Sequence, residues 1–346
     1  MNERPDADLI HSLEAAHYHP LWDRYKRITP MAPRLRDQAM LWRWRDFESL
    51  AERAAREVAI EDVERRAIIM SNPAFNGDTV TTGNLIAAFT ILEPGDHAVP
   101  HRHTASAIRF STRAEGAVTI VNGRRCEMHE GDLVLTPALC WHGHINLCDN
   151  RTYWFDAANM PLICELEASF FEPGSRQDAA FWEVDEGDER LYEGPGLVAA
   201  TEQPQADHQP RHSPQHSPKY RYAGIQTRRV LADMPTSSDG QRVLRYVNPL
   251  TGGALMPTLD CYAQRLTAGA ATRARRVTHH AVYLVVSGEG YSTIGDKRFE
   301  WSKHDVFSVP HWTWASHCAR GGDADLFQVT DRSVYEALGL LRVEQQ

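Results

Sequence analysis

The stretch VPHRHTASAIRF, Val99–Phe110, sets two histidines one residue apart behind a proline, with an arginine six residues past the second. On a β-strand, residues i and i+2 leave the same face, so His101 and His103 project together and can grip one metal ion. Arg109 lies at an even spacing from His103, which on a continuous strand turns it to the same side. Its planar fork suits a carboxylate. The competing reading of Arg109 is a solvated surface arginine. With 17 histidines in 346 residues, about one His-x-His pair arises by composition alone. The pair therefore needs a third ligand and a scaffold that delivers it.

Downstream stand Gly131-Asp-Leu-Val-Leu-Thr-Pro137, then Ala-Leu-Cys-Trp-His142, then Asn146. The first half reads G-x5-H-x-H from Gly95 to His103, and the second reads G-x5-P-x4-H-x3-N from Gly131 to Asn146. This pair of motifs resembles the cupin superfamily, whose small jelly-roll barrel holds one metal. The resemblance implies that His101, His103 and His142 are the ligands. The superfamily's usual glutamate, four or five residues past the second histidine, is replaced by Ala107 and Ile108. Three neutral imidazoles without a carboxylate leave a dication uncompensated, which favours an anionic, chelating substrate. Imidazole suits Zn, Cu, Fe and Ni alike. His144, two residues past His142, is either a core histidine satisfied by backbone or a group that moves a proton near neutral pH.

The elements that must position these residues are short β-rich runs. NLIAAFTIL, AIRFS, GAVTIV, DLVLTP and TYWFDA are separated by PGD, NG and EGD turns, which predicts an antiparallel barrel or jelly roll. Asn122-Gly123 is a hairpin signal. GAVTIVNGRRCEMHEGDLVLTPALCWHGH and GYSTIGDKRFEWSKHDVFSVPHWTWASH align as strand, turn, strand, charged turn, strand, proline and tryptophan. The chain is thus an all-β duplication of a barrel. The organisation predicted is an N-terminal helical arm (1–75), a first barrel (76–200), a Pro/Gln/His/Ser-rich linker (201–220) and a second barrel (221–346). Prolines among His208, His212 and His216 deny that linker a helix that would align them. Trp22, Trp42 and Trp44 exceed what a lone arm can cover, so they pack on the barrels or on another subunit. In register with HRHT the second barrel reads Arg275-Arg276-Val277-Thr278, and Ala315 takes the place of the third histidine. His279 and His280 are adjacent and face opposite ways, and His317 matches His144. The second barrel therefore lacks the ligand set.

A net charge of -9 argues against nucleic acid and anionic membranes as partners. The composition is ordinary for a soluble globular protein, without a membrane span or signal peptide. Six scattered cysteines with no C-x-x-C pair fit reduced thiols in the cytoplasm.

With PLW (Pro20–Trp22), LWRW (Leu41–Trp44), ERRA (Glu64–Ala67), HRHTASAIRF, WFDAANMPL, RYVNPLTGGALMPT and RFEWSKHDVFSVPHWTW, the chain resembles the bicupin ring-cleaving dioxygenases. That group comprises gentisate, salicylate and hydroxynaphthoate 1,2-dioxygenases. The resemblance implies one Fe(II) per subunit on His101, His103 and His142, a small aromatic acid and O2 as substrates, and a homo-oligomer, most often a tetramer. It carries over Arg109 for the substrate carboxylate and His144 for proton transfer or orientation. It also adds an arginine of the ERR element (Arg65, less firmly Arg66) and Asp156. Related sequences carry tryptophan where Ile86 stands, glutamine where Thr90 stands, and aspartate where Asn159 stands. Such swaps on the pocket wall leave the ring substituents open: gentisate, another 5-substituted salicylate such as 5-nitrosalicylate, plain salicylate or 1-hydroxy-2-naphthoate. Rival readings are a metal-dependent isomerase or hydrolase and a non-catalytic small-molecule-binding bicupin.

Overall fold

A computed structural model describes residues 7–174 and 216–346. The strand Ala107–Arg113 shows how the core is built. Ile108 and Phe110 leave one face, Ala107, Arg109 and Ser111 the other, and all five are buried. The outer face meets the second half of the chain, where Phe110 stacks on Phe327 with ring centroids 4.2 Å apart. Phe89, Phe155, Val282, Leu284 and Val329 belong to that same shared core. The inner face looks into the first barrel.

Among the described residues that barrel has two antiparallel sheets. One runs Arg221–Tyr222, Leu133–Thr136, Ala107–Arg113, Thr152–Ala158, Ile86–Leu92, Ala67–Ile69. The other runs Phe171–Pro173, His97–His103, His142–Asn146, Ala117–Val121, Arg124–Met128. Leu92, Val134 and Trp154 from the first meet Ala117, Val121, Cys126 and Met128 from the second. This closes a jelly roll. The hairpin at Asn122-Gly123 joins paired Val121 and Arg124 through two residues with φ of 47° and 80°. Both positive values are what a type I′ turn needs, and Asn and Gly accept them at least cost.

The second barrel is one nine-stranded sheet. Its long strands, Ala281–Ile294 and Ala315–Thr330, shift register on either side of Ser287, which bends them around the interior. Tyr283 and Phe307 stack there at 4.9 Å, with Trp301, Val285 and Leu326 in the same cluster. Aromatic rings fill this interior.

The N-terminal 75 residues differ from a uniform helical arm. Residues up to Leu35 form their own unit, with helices Ala7–Ala15 and Leu21–Ile28. From Arg36 onward the chain is woven into both barrels. Leu41–Trp42 pairs with Phe307 and Val306, and Ala67–Ile69 extends the sheet of the first barrel. The helix Trp44–Glu57 has Arg43 at its N-cap position and no side-chain cap of its own. Asp305 supplies the missing acceptor, taking the Trp44 N–H at 2.8 Å. Trp44 is buried against Phe89 and Tyr153, whereas Trp22 is 62% exposed. Arg221–Tyr222, at the start of the second half in sequence, pairs with Leu133 and Val134 of the first barrel. Of the linker histidines, His208 and His212 lie outside the described residues. The His216 Nδ1 lies 2.9 Å from its neighbour's carbonyl, Ser217 O.

Candidate metal centre

Pro100 has no N–H for the ladder, and pairing between His97–His103 and His142–Asn146 shifts between Ala98 and His101. The shift sets His101 opposite His142. His101, His103 and His142 meet with ring centroids 4.3 to 5.5 Å apart, and one nitrogen from each lies within 4.8 Å of the others. All three are buried.

Backbone carbonyls fix how the rings present themselves. His101 Nδ1 donates to Val99 O at 3.0 Å, His103 Nδ1 to Ala105 O at 2.7 Å and His142 Nδ1 to Cys140 O at 2.9 Å. A carbonyl only accepts, so each Nδ1 carries the hydrogen and each Nε2 keeps a lone pair for the centre. Burial, and next the Arg65 charge, push His101 down to about 2 and His103 to about 4. Burial and then Arg109 hold His142 well below the ordinary imidazole range. The rings are therefore neutral at physiological pH, the state a metal ligand requires.

The facing sheet brings the charged groups. Arg109 is wholly buried, donates from Nη1 to Thr136 Oγ1 at 2.7 Å, and stands 3.5 Å from Asp156 through Nε. Burial lowers it to about 10 while Asp156 opposes the fall, so it stays cationic. The surface reading of Arg109 is thereby excluded. Asp156 accepts from Thr90 Oγ1 and, at 3.0 Å, from Trp154 Nε1. Burial raises its carboxyl; Arg109 is the largest opposing influence. Arg65 donates from Nη2 to the His101 Nε2 lone pair at 2.5 Å, a bond that a metal on that nitrogen would displace, whereas Arg66 turns away and pairs with Asp96. Of the two ERR arginines, Arg65 is the one at the centre. Half-buried Ile86 shares the strand face of Thr90 and sits opposite Ala158, one same-face step beyond Asp156. Asn159 accepts the Ser106 N–H at 2.7 Å, which ties two loops together.

His144 is buried beside Trp154, with Nδ1 2.9 Å from Thr119 Oγ1. Among the described residues its Nε2 has no hydrogen-bond partner, nor does His142 Nε2, while Arg109 Nε and Asp156 Oδ1 have no hydrogen bond and only each other at ion-pair distance. Buried polar atoms are normally paired, and two open imidazole nitrogens beside a loosely met guanidinium and carboxylate fit a bound cation and a polar ligand beside it. An all-imidazole donor set fits a first-row divalent ion.

Three neighbours were not singled out from sequence. Phe171 stacks on His101 at 5.4 Å from a three-residue edge strand whose sequence, FEP, carries no strand signature. Trp154, two residues before Asp156, was legible by strand parity. Thr119 is marked only by facing His144 across a strand pair, a long-range fact.

The second barrel repeats the frame with other side chains. Arg275 pairs with Ala315 as His101 pairs with His142. Tyr283 faces Phe307 and Gln328 where Arg109 faces Val134 and Asp156. Ser292 and His317, 2.7 Å apart, repeat Thr119 and His144.

Two jelly rolls on one chain, one of them lined by convergent imidazoles, define a bicupin. The Cupin domain family matches residues 88–157. The chain is 35% identical to a 5-aminosalicylate 1,2-dioxygenase of Comamonas sp, over 97% of this chain and 90% of that protein. It is also 35% identical to a gentisate 1,2-dioxygenase of Streptomyces sp, over 98% and 95%. The crystal structure of a salicylate 1,2-dioxygenase from Pseudaminobacter salicylatoxidans superposes with a TM-score of 0.87 at 33% identity, over 100% of this chain and 99% of that one. The chain belongs to the gentisate and salicylate 1,2-dioxygenase family of ring-cleaving oxidoreductases.

Proposed function

We propose that this protein is a ferrous-iron dioxygenase that opens the ring of gentisate or another 5-substituted salicylate between the carbons bearing the carboxylate and the hydroxyl. The C1–C2 bond breaks and both atoms of O2 enter the product, giving a keto group at C1 and a new carboxylate at C2. The observation that carries this reading is the donor set: three neutral imidazoles, no acidic ligand, and a buried guanidinium across the barrel. Bound there, ferrous iron supplies a Lewis acid and redox partner that hold the chelating acid and dioxygen adjacent.

The chain's residues do the rest. Arg109, fixed by Thr136 and Asp156, presents its fork to the substrate carboxylate. Asp156 keeps that fork oriented and offsets part of its charge. His144, which burial keeps neutral, turns its open Nε2 toward the phenolic hydroxyl as a hydrogen-bond acceptor and so orients the acid. Arg65 adds positive charge beside His101. Thr90, bonded to Asp156, and Ile86 form wall where ring substituents lie.

No helix among the described residues is long and apolar enough to cross a membrane. All six cysteines are unpaired, which supports residence in the reducing cytoplasm. Leu21, Trp22, Tyr25, Ile28 and Met31 are each more than half exposed, which supports an N-terminal arm that clasps neighbouring subunits in a homotetramer.

The test is an oxygen-electrode panel on anaerobically iron-loaded protein with gentisate, 5-aminosalicylate, 5-nitrosalicylate, salicylate and 1-hydroxy-2-naphthoate. Oxygen uptake stoichiometric with a 5-substituted salicylate is expected. Silence across the panel contradicts the proposal.

A further inference from the structure

A second group of ligand-type side chains lies outside the imidazole centre. Asp37, His280 and His311 each bring one donor atom within 4.8 Å of the others, the same criterion the first centre meets. They come from three separated segments: the stretch before Leu41–Trp42, the residue before Ala281–Ile294, and the loop after Val306–Val309. In the internal repeat, His280 and His311 occupy the places of Ser106 and Ala138 of the first barrel. There Ala138 N–H donates to Ser106 Oγ at 3.3 Å, so the duplicated frame brings these two loops together. The group is therefore distinct from the lost cupin ligand positions at Arg275, Val277 and Ala315.

Asp37 is 6% exposed, and among the described residues neither carboxylate oxygen has a hydrogen-bond donor from another residue. A buried carboxylate left in that state carries a large desolvation cost. Its facing group is His280 Nε2, at 4.0 Å, too far for a hydrogen bond. His280 is oriented from behind: Asp331 Oδ2 accepts from its Nδ1 at 3.0 Å, and Asp331 is itself held by Asn84 at 2.7 Å. Carboxylate, imidazole and open Nε2 in that order form the outer support typical of metal-ligating histidines. Gly83 keeps the approach to Nε2 clear, since a Cβ there would stand 3.2 Å from it. The His311 ring lies 4.9 Å from that of His280. Two buried carboxylates meet two imidazoles, and a dication balances that charge.

We propose that Asp37, His280 and His311 bind a divalent cation of the zinc class, with water in the fourth position of a tetrahedral shell. The ion pins the residues before Leu41–Trp42 to the rim of the second barrel. It takes no part in ring cleavage. Zinc needs ligand atoms closer together than 4.8 Å, and small movements of the His311 loop and Asp37 supply the difference.

The test uses the full-length protein and Zn2+ alone. Crystals equilibrated with Zn2+ are measured just above and below the zinc absorption edge, and solution stoichiometry is read by equilibrium dialysis. A zinc peak between Asp37, His280 and His311 is expected besides any at the imidazole centre, and Asp37→Asn lowers bound zinc by one equivalent per subunit. His311→Ala, at a half-buried rim position, does the same and guards against misfolding of the first variant. Both variants keep ring-cleaving activity when iron-loaded. No peak at the cluster, or a peak that survives both substitutions, overturns the proposal.

Discussion

In the proposed function, Arg109 is the residue on which substrate recognition turns. Lysine at this position keeps the charge but loses the planar fork and the bond to Thr136. Arg109→Lys is expected to lower kcat/KM by about 30- to 150-fold, corresponding to roughly 2–3 kcal/mol for charge-assisted hydrogen bonds. Steady-state oxygen uptake with gentisate or 5-aminosalicylate reads it, and an unchanged kcat/KM would remove Arg109 from the site. The imidazoles make a second prediction, for the metal-free protein. Their folded values are depressed, to about 4 for His103 and about 2 for His101, by burial first and Arg65 next. Below the ordinary imidazole value near 6.5 the unfolded chain binds protons that the folded chain refuses, so stability is full above that pH and falls as pH drops. Each such ring contributes a slope of up to about 1.4 kcal/mol per pH unit. Urea midpoints of metal-free protein at about pH 7.5, 6 and 5 should fall in that order, and flat midpoints would contradict the burial assigned to these rings.

At the scale of elements, the barrels hold one another through strands buried on both faces. Phe327 is fully buried between Phe110 and Phe155. Phe327→Ala is expected to cost about 3–5 kcal/mol. Thermal unfolding measures that, and a loss below about 1 kcal/mol would mean the shared core is not where stability resides. Such strands also explain what sequence could show. Parity along His97–His103 was enough to put His101 and His103 on one face, because side-chain alternation is local. Arg109 also faces inward, but from the separate strand Ala107–Arg113 of the facing sheet, so the continuous strand that was to carry it there does not exist. Leu41–Trp42 and Phe171–Pro173 were not legible. Each exists through a distant partner, Val306 and Phe307 for the first and His97–His103 for the second. Helical pattern in LWRWRDFESL hid the first, and FEP offers no alternation. Choosing Arg65 over Arg66 was equally out of reach, since Asp96, which claims Arg66, is thirty residues away.

Across the whole molecule, duplication supplied two similar frames whose interiors have diverged. Where the first barrel sets Arg109 against Asp156 and Thr136 beside imidazoles, the second sets Tyr283 against Gln328 and stacks it on Phe307. One frame carries open polar atoms that a metal and an acid would satisfy; the other fills the corresponding interior with Tyr283, Phe307 and Trp301. That division was legible from Arg275, Val277 and Ala315, whereas the filling by Tyr283, Phe307 and Trp301 needed the register of long strands. The measurement that bears most directly on the central claim is anomalous diffraction at the iron edge from crystals of iron-loaded protein, with oxygen uptake assayed on the same batch. One iron about 2.1 Å from Nε2 of His101, His103 and His142, in protein that consumes oxygen with a salicylate-type acid, is the predicted result. Iron bound elsewhere, or undiminished ring cleavage by iron-free protein, would contradict it.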